Sequence, residues 1–160
     1  MLTHIRKSLE ALLASICVLL SLAVVSDAAT ADANGIVKVE SAYSMGETIA
    51  RLKADIAKKG IMFFTEVDQA KLAADAGIKL RPSTLLIFGN PALGSNFMTS
   101  NPISGIDWPV RLLVIEDSTG KVWAVYTDFD FIARRHGIAD RMKEFNMASE
   151  VIVSITSNIK

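Results

Sequence analysis

The residues of this 160-residue chain that could do chemistry are few, and they lie in its second half. His136 is the only histidine beyond the first thirty residues. It could serve as a metal ligand or an acid/base group, with Asp128, Asp130 or Asp140 as partner. The plainer reading is a helix end. Arg134, Arg135 and His136 precede Gly137, where cations and a left-handed glycine belong. Arg81 and Arg111 each stand beside a proline-bearing turn, and together they could clamp an anion. Their plainer role is to pair with surface acids. Asp128, Asp130 and the pair Glu116-Asp117 could supply carboxylates for acid/base work, but neighbours in strand or helix point apart. Asp128 is better placed to cap a following helix, and Asp117 to open a turn. Asn90, in Gly89-Asn90-Pro91, belongs to a tight turn that could bring it to a pocket mouth. Trp108, Trp123 and Tyr126 could line a groove or a dimer face, since aromatics favour both. The ligand-binding set drawn from these residues is Arg81, Asn90, Arg111, Tyr126, Asp128 and His136, with no residue assigned to catalysis.

Several functions are excluded at this stage. No nucleophile elbow, phosphate loop or dinucleotide fingerprint is present. A transition-metal site wants several nitrogen or sulfur ligands, and Asp128-Phe129-Asp130 lacks the remaining positions of a calcium loop. No metal or cofactor is expected. Met62, Met98 and Met142 are too scattered for a copper site and read as core filler. With 17 basic against 17 acidic side chains, net charge zero and a pI of about 6.7, nothing calls for a nucleic-acid partner.

The first 28 residues read as a secretory signal peptide. His4, Arg6 and Lys7 form a basic start, Ala11 to Val25 is an almost unbroken apolar run, and Ser26 and Ala28 have signal-peptidase spacing. Ala29 with Ala31 is a second cleavage option. The alternative is an uncleaved membrane anchor. Fifteen helical residues span only about 22 Å at about 1.5 Å each, against a hydrocarbon core of about 30 Å. Cys17, the only cysteine, lies inside the apolar run and would leave with it. Export, to the periplasm, is therefore expected to proceed without disulfides, and the processed chain is expected to have no membrane segment.

The elements that must position these side chains follow from periodicity. Residues 29–35 are small and polar and read as a linker, with a single domain over 36–160. Ile36 to Tyr43 alternates as a strand. Ser44-Met45-Gly46-Glu47 has capping-box spacing, and Ile49, Leu52, Ile56 and Ala57 recur at helical spacing up to Gly60. Ile61 to Val67 is a second strand, and Asp68 caps a short helix through Ala76. Ser83 to Phe88 is a third strand, its run Leu85-Leu86-Ile87-Phe88 suggesting burial on both faces. A short helix or loop with Phe97 and Met98 follows Pro91. Val110 to Glu116, a turn at Asp117-Ser118-Thr119-Gly120, and Lys121 to Thr127 make a hairpin. The rest is helical with a break at Gly137, and Met142, Phe145, Met147 or Ala148, Val151, Ile152 and Ile155 form the buried stripe.

The stretch Arg81-Pro82-Ser83-Thr84-Leu85-Leu86-Ile87-Phe88-Gly89-Asn90-Pro91 resembles the domain-of-unknown-function 302 family, in which a strand ends in a Phe-Gly-Asn-Pro-like turn. Asp107-Trp108-Pro109-Val110-Arg111, Glu116-Asp117 to Gly120-Lys121-Val122, Tyr126 to Asp128, and Ile132 to Ile138 match as well. The resemblance covers Val39 to the C-terminus. It implies a β-α-β-β-β-β-α order of TATA-binding-protein-like type, and it carries no assigned reaction, ligand or catalytic residue. Trp108 departs from it, since leucine is usual there.

The expected fold is an α+β sandwich, a mainly antiparallel sheet with helices mainly on one face. The expected function is non-catalytic binding of a small ligand or a protein partner by an exported domain. One alternative is an enzyme with a pocket built from Arg81, Arg111, Asp128 and His136. The other is a homo-oligomeric or partner-docking module, a homodimer included, that uses an aromatic face.

Overall fold

The computed structural model describes residues 29–160, so the leader expected over residues 1–28 lies outside the described residues. The order is β1 (Ile36–Ser41), α1 (Met45–Lys58), β2 (Met62–Asp68), α2 (Gln69–Asp75), β3 (Ser83–Gly89) and α3 (Pro91–Ser100). A 3-10 turn (Pro102–Asp107), β4 (Val110–Glu116), β5 (Val122–Thr127), α4 (Phe129–Arg135) and α5 (Met142–Ser157) follow. The five strands form one sheet in the order β1-β5-β4-β3-β2, antiparallel throughout. This is the α+β arrangement that the element order implies, with α2, α3 and the 3-10 turn inserted between strands.

Alternation along each strand decides which face is covered. Val37 and Val39 of β1 lie opposite Tyr126 and Ala124 of β5, and Val114 and Leu112 of β4 continue the row to Leu86 and Phe88 of β3. All eight are buried. Helix α1 covers this face with Leu52 and Ile56, and α5 covers it with Phe145, Ile152 and Ile155, each essentially solvent-free. The Phe145 ring stacks on Phe97 of α3 at 4.1 Å. The C-terminal end is tied down by an Ala42 amide that donates to the Ile159 carbonyl at 2.8 Å.

The opposite face carries Leu85 and Ile87 of β3, Leu113 and Ile115 of β4, and Trp123 and Val125 of β5. These are only half-buried, so the run Leu85-Leu86-Ile87-Phe88 is not buried on both sides as its composition suggests. The four helices with buried side chains (α1, α3, α4 and α5) place those side chains in the cluster on the core face. The methionine expectation also changes. Met62 and Met142 are 51% and 42% exposed, and Met147 of α5 is 48% exposed while its neighbour Ala148 is buried. Phase along α5 decides this, because a helix that buries Phe145, Ala148, Ile152 and Ile155 must turn 142 and 147 outward.

Local signals act largely as the sequence suggests. Ser44 accepts from the Glu47 amide at 3.5 Å, but the Glu47 carboxylate turns to Arg51 at 2.8 Å. Residues 32–36 form a closed turn in which Asp32 Oδ1 accepts from the Asn34 and Ile36 amides. Asp117 organises the β4–β5 turn, accepting from the Thr119 and Lys121 amides, the Thr119 hydroxyl and Trp123 Nε1. The Thr119 and Trp123 hydrogen bonds hold its carboxyl well below the usual carboxylate range.

Candidate functional site

Two features stand side by side at the end of the sheet where β3 leaves and β4 enters. The first is ionic. Asp107 closes the 3-10 turn, and its side chain is only 4% exposed. Its Oδ1 accepts from Arg111 Nη2 at 3.0 Å and Arg135 Nη1 at 3.3 Å, and its Oδ2 meets His136 Nε2 at 2.6 Å. Arg111 comes from β4, whereas Arg135 and His136 come from the end of α4, so one carboxylate joins three elements. The His136 carbonyl accepts from Asn101 Nδ2 at 2.9 Å, which fixes the same corner from α3. Gly137 leaves the helix with φ +62°, a conformation that glycine adopts without cost. His136 is thus the helix end that its neighbours suggest, with Asp107 as partner in place of Asp128, Asp130 or Asp140.

The second feature is a cavity of about 420 Å³ between the sheet and α5. Its apolar lining includes Phe88, Leu93, Trp108, Val110 and Phe129, with Val151 and Ile152 from α5. Lys59, Asn90, Glu150 and Ser154 bring polar groups to it, and all four are solvent-exposed. Val110 and Phe129 also line a small cleft beside Asp107 and Arg111, so the two features share a wall. Trp108, joined to Pro109 by a cis peptide, is seated by two glycines. A Cβ added at Gly89 or Gly94 would overlap the indole ring, so this bulky residue fits because those two positions are bare. Its edge also meets the Phe97 ring at 6.1 Å.

The structure separates most of the residues that the sequence groups together. Arg81 is exposed before β3, whereas Arg111 pairs in register with Ile87 near the other end of that strand. At about 3.3 Å per residue the two are at least about 13 Å apart along the sheet. They form no clamp, and Arg135 is the second guanidinium beside Arg111. Asp128 caps α4 by accepting from the Phe131 amide at 2.8 Å. Tyr126 is buried on the core face against Thr156, and burial raises its phenol above the ordinary tyrosine value. The four residues Arg81, Arg111, Asp128 and His136 therefore build no common pocket. Asn90 does reach the cavity, and its Oδ1 caps α3 through the Ala92 and Leu93 amides. Asp107 and Arg135 were the members that sequence reasoning missed. The signal available was an acid four residues before Arg111 and an arginine beside His136, but nothing local says that the two segments meet. Among the described residues no three histidine, cysteine or carboxylate side chains come together as a metal site.

Comparison with known proteins bears on this architecture. The family model described as domain of unknown function DUF302 matches residues 37–158. The chain belongs to the DUF302 family. A crystal structure of an uncharacterized conserved DUF302 protein from Bacillus stearothermophilus superposes with a TM-score of 0.72 at 15% identity, covering 79% of this chain and 98% of that one. The shared DUF302 fold is what that likeness establishes. A protein of Brucella suis biovar 1 called fluoride-specific ion channel FluC 1 is 42% identical over 105 residues, 66% of this chain and 41% of the relative. Fluoride-specific ion channel FluC 2 of Brucella melitensis biotype 1 is 42% identical over 105 residues, which are 39% of its length. The chain thus matches about two-fifths of the length of these curated relatives.

Proposed function

We propose that this DUF302 domain binds a small apolar or amphipathic molecule without transforming it, and that it does so after export. The cavity of about 420 Å³ carries the reading. Its size lies within the range of small-molecule sites, about 300–1,000 Å³, which are mostly apolar with a few placed polar groups. Lys59, Asn90, Glu150 and Ser154 would orient the ligand, and Phe88, Trp108, Phe129 and Val151 would hold its apolar body. The His136–Asp107 pair supports a structural role for that corner, since His136 Nε2 is engaged by Asp107 and the His136 carbonyl by Asn101. The fluoride-channel names belong to relatives more than twice as long as the matched segment, and this reading takes no channel activity from them. Export rests on the basic start, the apolar run and the Ser26–Ala28 spacing.

Native mass spectrometry of protein isolated from its own cells tests the binding. Wild type should carry a non-covalent adduct or take up a fatty acid or aromatic probe. Val151→Phe, which fills the cavity, should lose it while keeping its thermal transition. A wild type that carries no adduct and takes up none of the probes would refute the reading.

A further inference from the structure

The sheet face away from the helices is apolar across its middle. Leu85, Ile87, Leu113, Ile115, Trp123 and Val125 lie side by side in register on the three inner strands. They are only half-buried, and among the described residues the one element that reaches this side is α2, whose Gln69 accepts from the Ser83 hydroxyl at the β2–β3 end. The patch continues at the β2 rim, where Val67 lies on the same face and Met62, Phe64 and Leu72 are 51%, 44% and 58% exposed. An antiparallel sheet with one solvated face ordinarily alternates apolar inside with polar outside. Here both faces are apolar, and exposed apolar patches of this extent mark interaction sites.

We infer that this face is covered by the same face of a second copy of the chain, as a sheet-on-sheet dimer. Charge placement favours an identical partner. The charged side chains at this face stand at its margins: Lys38 and Glu40 on edge strand β1, Arg111 near the start of β4 and held toward Asp107, Asp117 and Lys121 at the β4–β5 turn beside Trp123, and Lys71 and Asp75 of α2 beside Val67. Glu40 is already paired with Lys121 at 2.8 Å. A twofold contact brings each patch against itself, so it requires a centre free of like charge, and that is how this face is built. Size favours it as well. Five strands about 4.8 Å apart and about 20 Å long present roughly 500 Å² in projection. Side-chain relief and the Met62–Phe64–Leu72 rim bring the accessible area toward the roughly 800 Å² per partner of a standard interface. Two such faces would pack about 10 Å apart, their strands inclined by about 30°.

Light scattering coupled to size exclusion, over a dilution series of the isolated protein, tests this. Leu113 lies mid-strand in β4, the middle strand of the five, close to where a twofold axis must pass. Wild type should have twice the mass of the chain. Leu113→Glu and Leu113→Lys should each run at the monomer mass, and an equimolar mixture of the two should return to the dimer mass. Trp emission of the wild type gives a readout that needs no variant. Trp123 is on the face and Trp108 is in the cavity, so dilution through the dissociation range should red-shift the emission. A wild type that is monomeric at the highest concentration overturns the inference, whether or not its face then binds lipid vesicles or another protein. So does a dimer that persists in both charge variants, or folded variants whose mixture stays monomeric.

Discussion

Asp107 shows how a single side chain can fix a corner of a fold. Its carboxylate is buried and accepts from Arg111, Arg135 and His136, so removing it leaves a nearly buried imidazole and two guanidinium groups without their common partner. Asp107→Ala should cost about 2 kcal/mol in urea unfolding, the scale of a lost charged hydrogen bond with buried partners. Arg111→Ala should cost less than about 1 kcal/mol, because its side chain is 48% exposed and Asp107 keeps two other donors. Equal losses for both variants would refute the hub. Arg111 also keeps free donors for an anion, which a thermal-shift panel against Arg111→Ala would reveal as a lost response. Tyr126 gives a pH test. Burial favours its neutral phenol, so the unfolded chain releases that proton first, near pH 10. The folded state then binds a proton that the unfolded state has lost, and stability must fall as pH rises past about 10. In a Tyr43→Phe background, which leaves Tyr126 as the only tyrosine, the phenolate absorbance should appear above that pH. Replacing Tyr126 with Phe should remove this part of the alkaline stability loss.

Among the elements, α5 bears most on the core. Phe145, Ala148, Ile152 and Ile155 on one of its faces close over the sheet, and Ile159 just beyond it is fully buried. Each buried Val, Ile or Phe contributes about 1.5–3 kcal/mol, and the sum is comparable to a whole domain's stability of about 5–15 kcal/mol. A chain ending before Met142 should therefore show no cooperative thermal transition. A retained transition would mean that the sheet is stable without its cover. The β4–β5 hairpin depends on a single turn residue. The lowered carboxyl of Asp117 means that its ionised form is the one bound by the turn, so its stabilising effect is present above the unfolded value and fades as pH falls below it. Asp117→Asn should weaken this acid-side dependence, read from Trp123 emission, because Trp123 Nε1 donates to that carboxylate at 2.8 Å.

At the scale of the whole molecule, the helices cover one face of the sheet and leave the cavity open between α5 and the strand ends. That asymmetry leaves two separate apolar surfaces, a concave one beside Trp108 and a flatter one around Leu113. The expected export has a test of its own. Intact mass of the exported protein should correspond to cleavage after Ala28, or after Ala31 as the alternative, and a chain still carrying Cys17 would contradict it.

Sequence alone determined what depends on neighbours along the chain. Alternation marked β1 and β5, an apolar run marked β3, 3.6-residue periodicity marked α1 and α5, and turn chemistry marked Asp117–Gly120 and the Asp128 cap, because each is settled within a few residues. The Phe-Gly-Asn-Pro turn and the segments matching it were enough to indicate the DUF302 family. Tertiary structure decided what depends on contacts between distant segments. That Arg111 shares Asp107 with Arg135 and stands apart from Arg81 follows from strand register, which places Arg81 beyond the far end of β3. The partner of His136 is Asp107, 29 residues away, where no local spacing could point. The half-exposure of Leu85 and Ile87 is equally illegible, because an apolar run looks the same whether its second face is covered by a helix or left open. Composition records that a side chain is apolar, and only packing decides what lies against it.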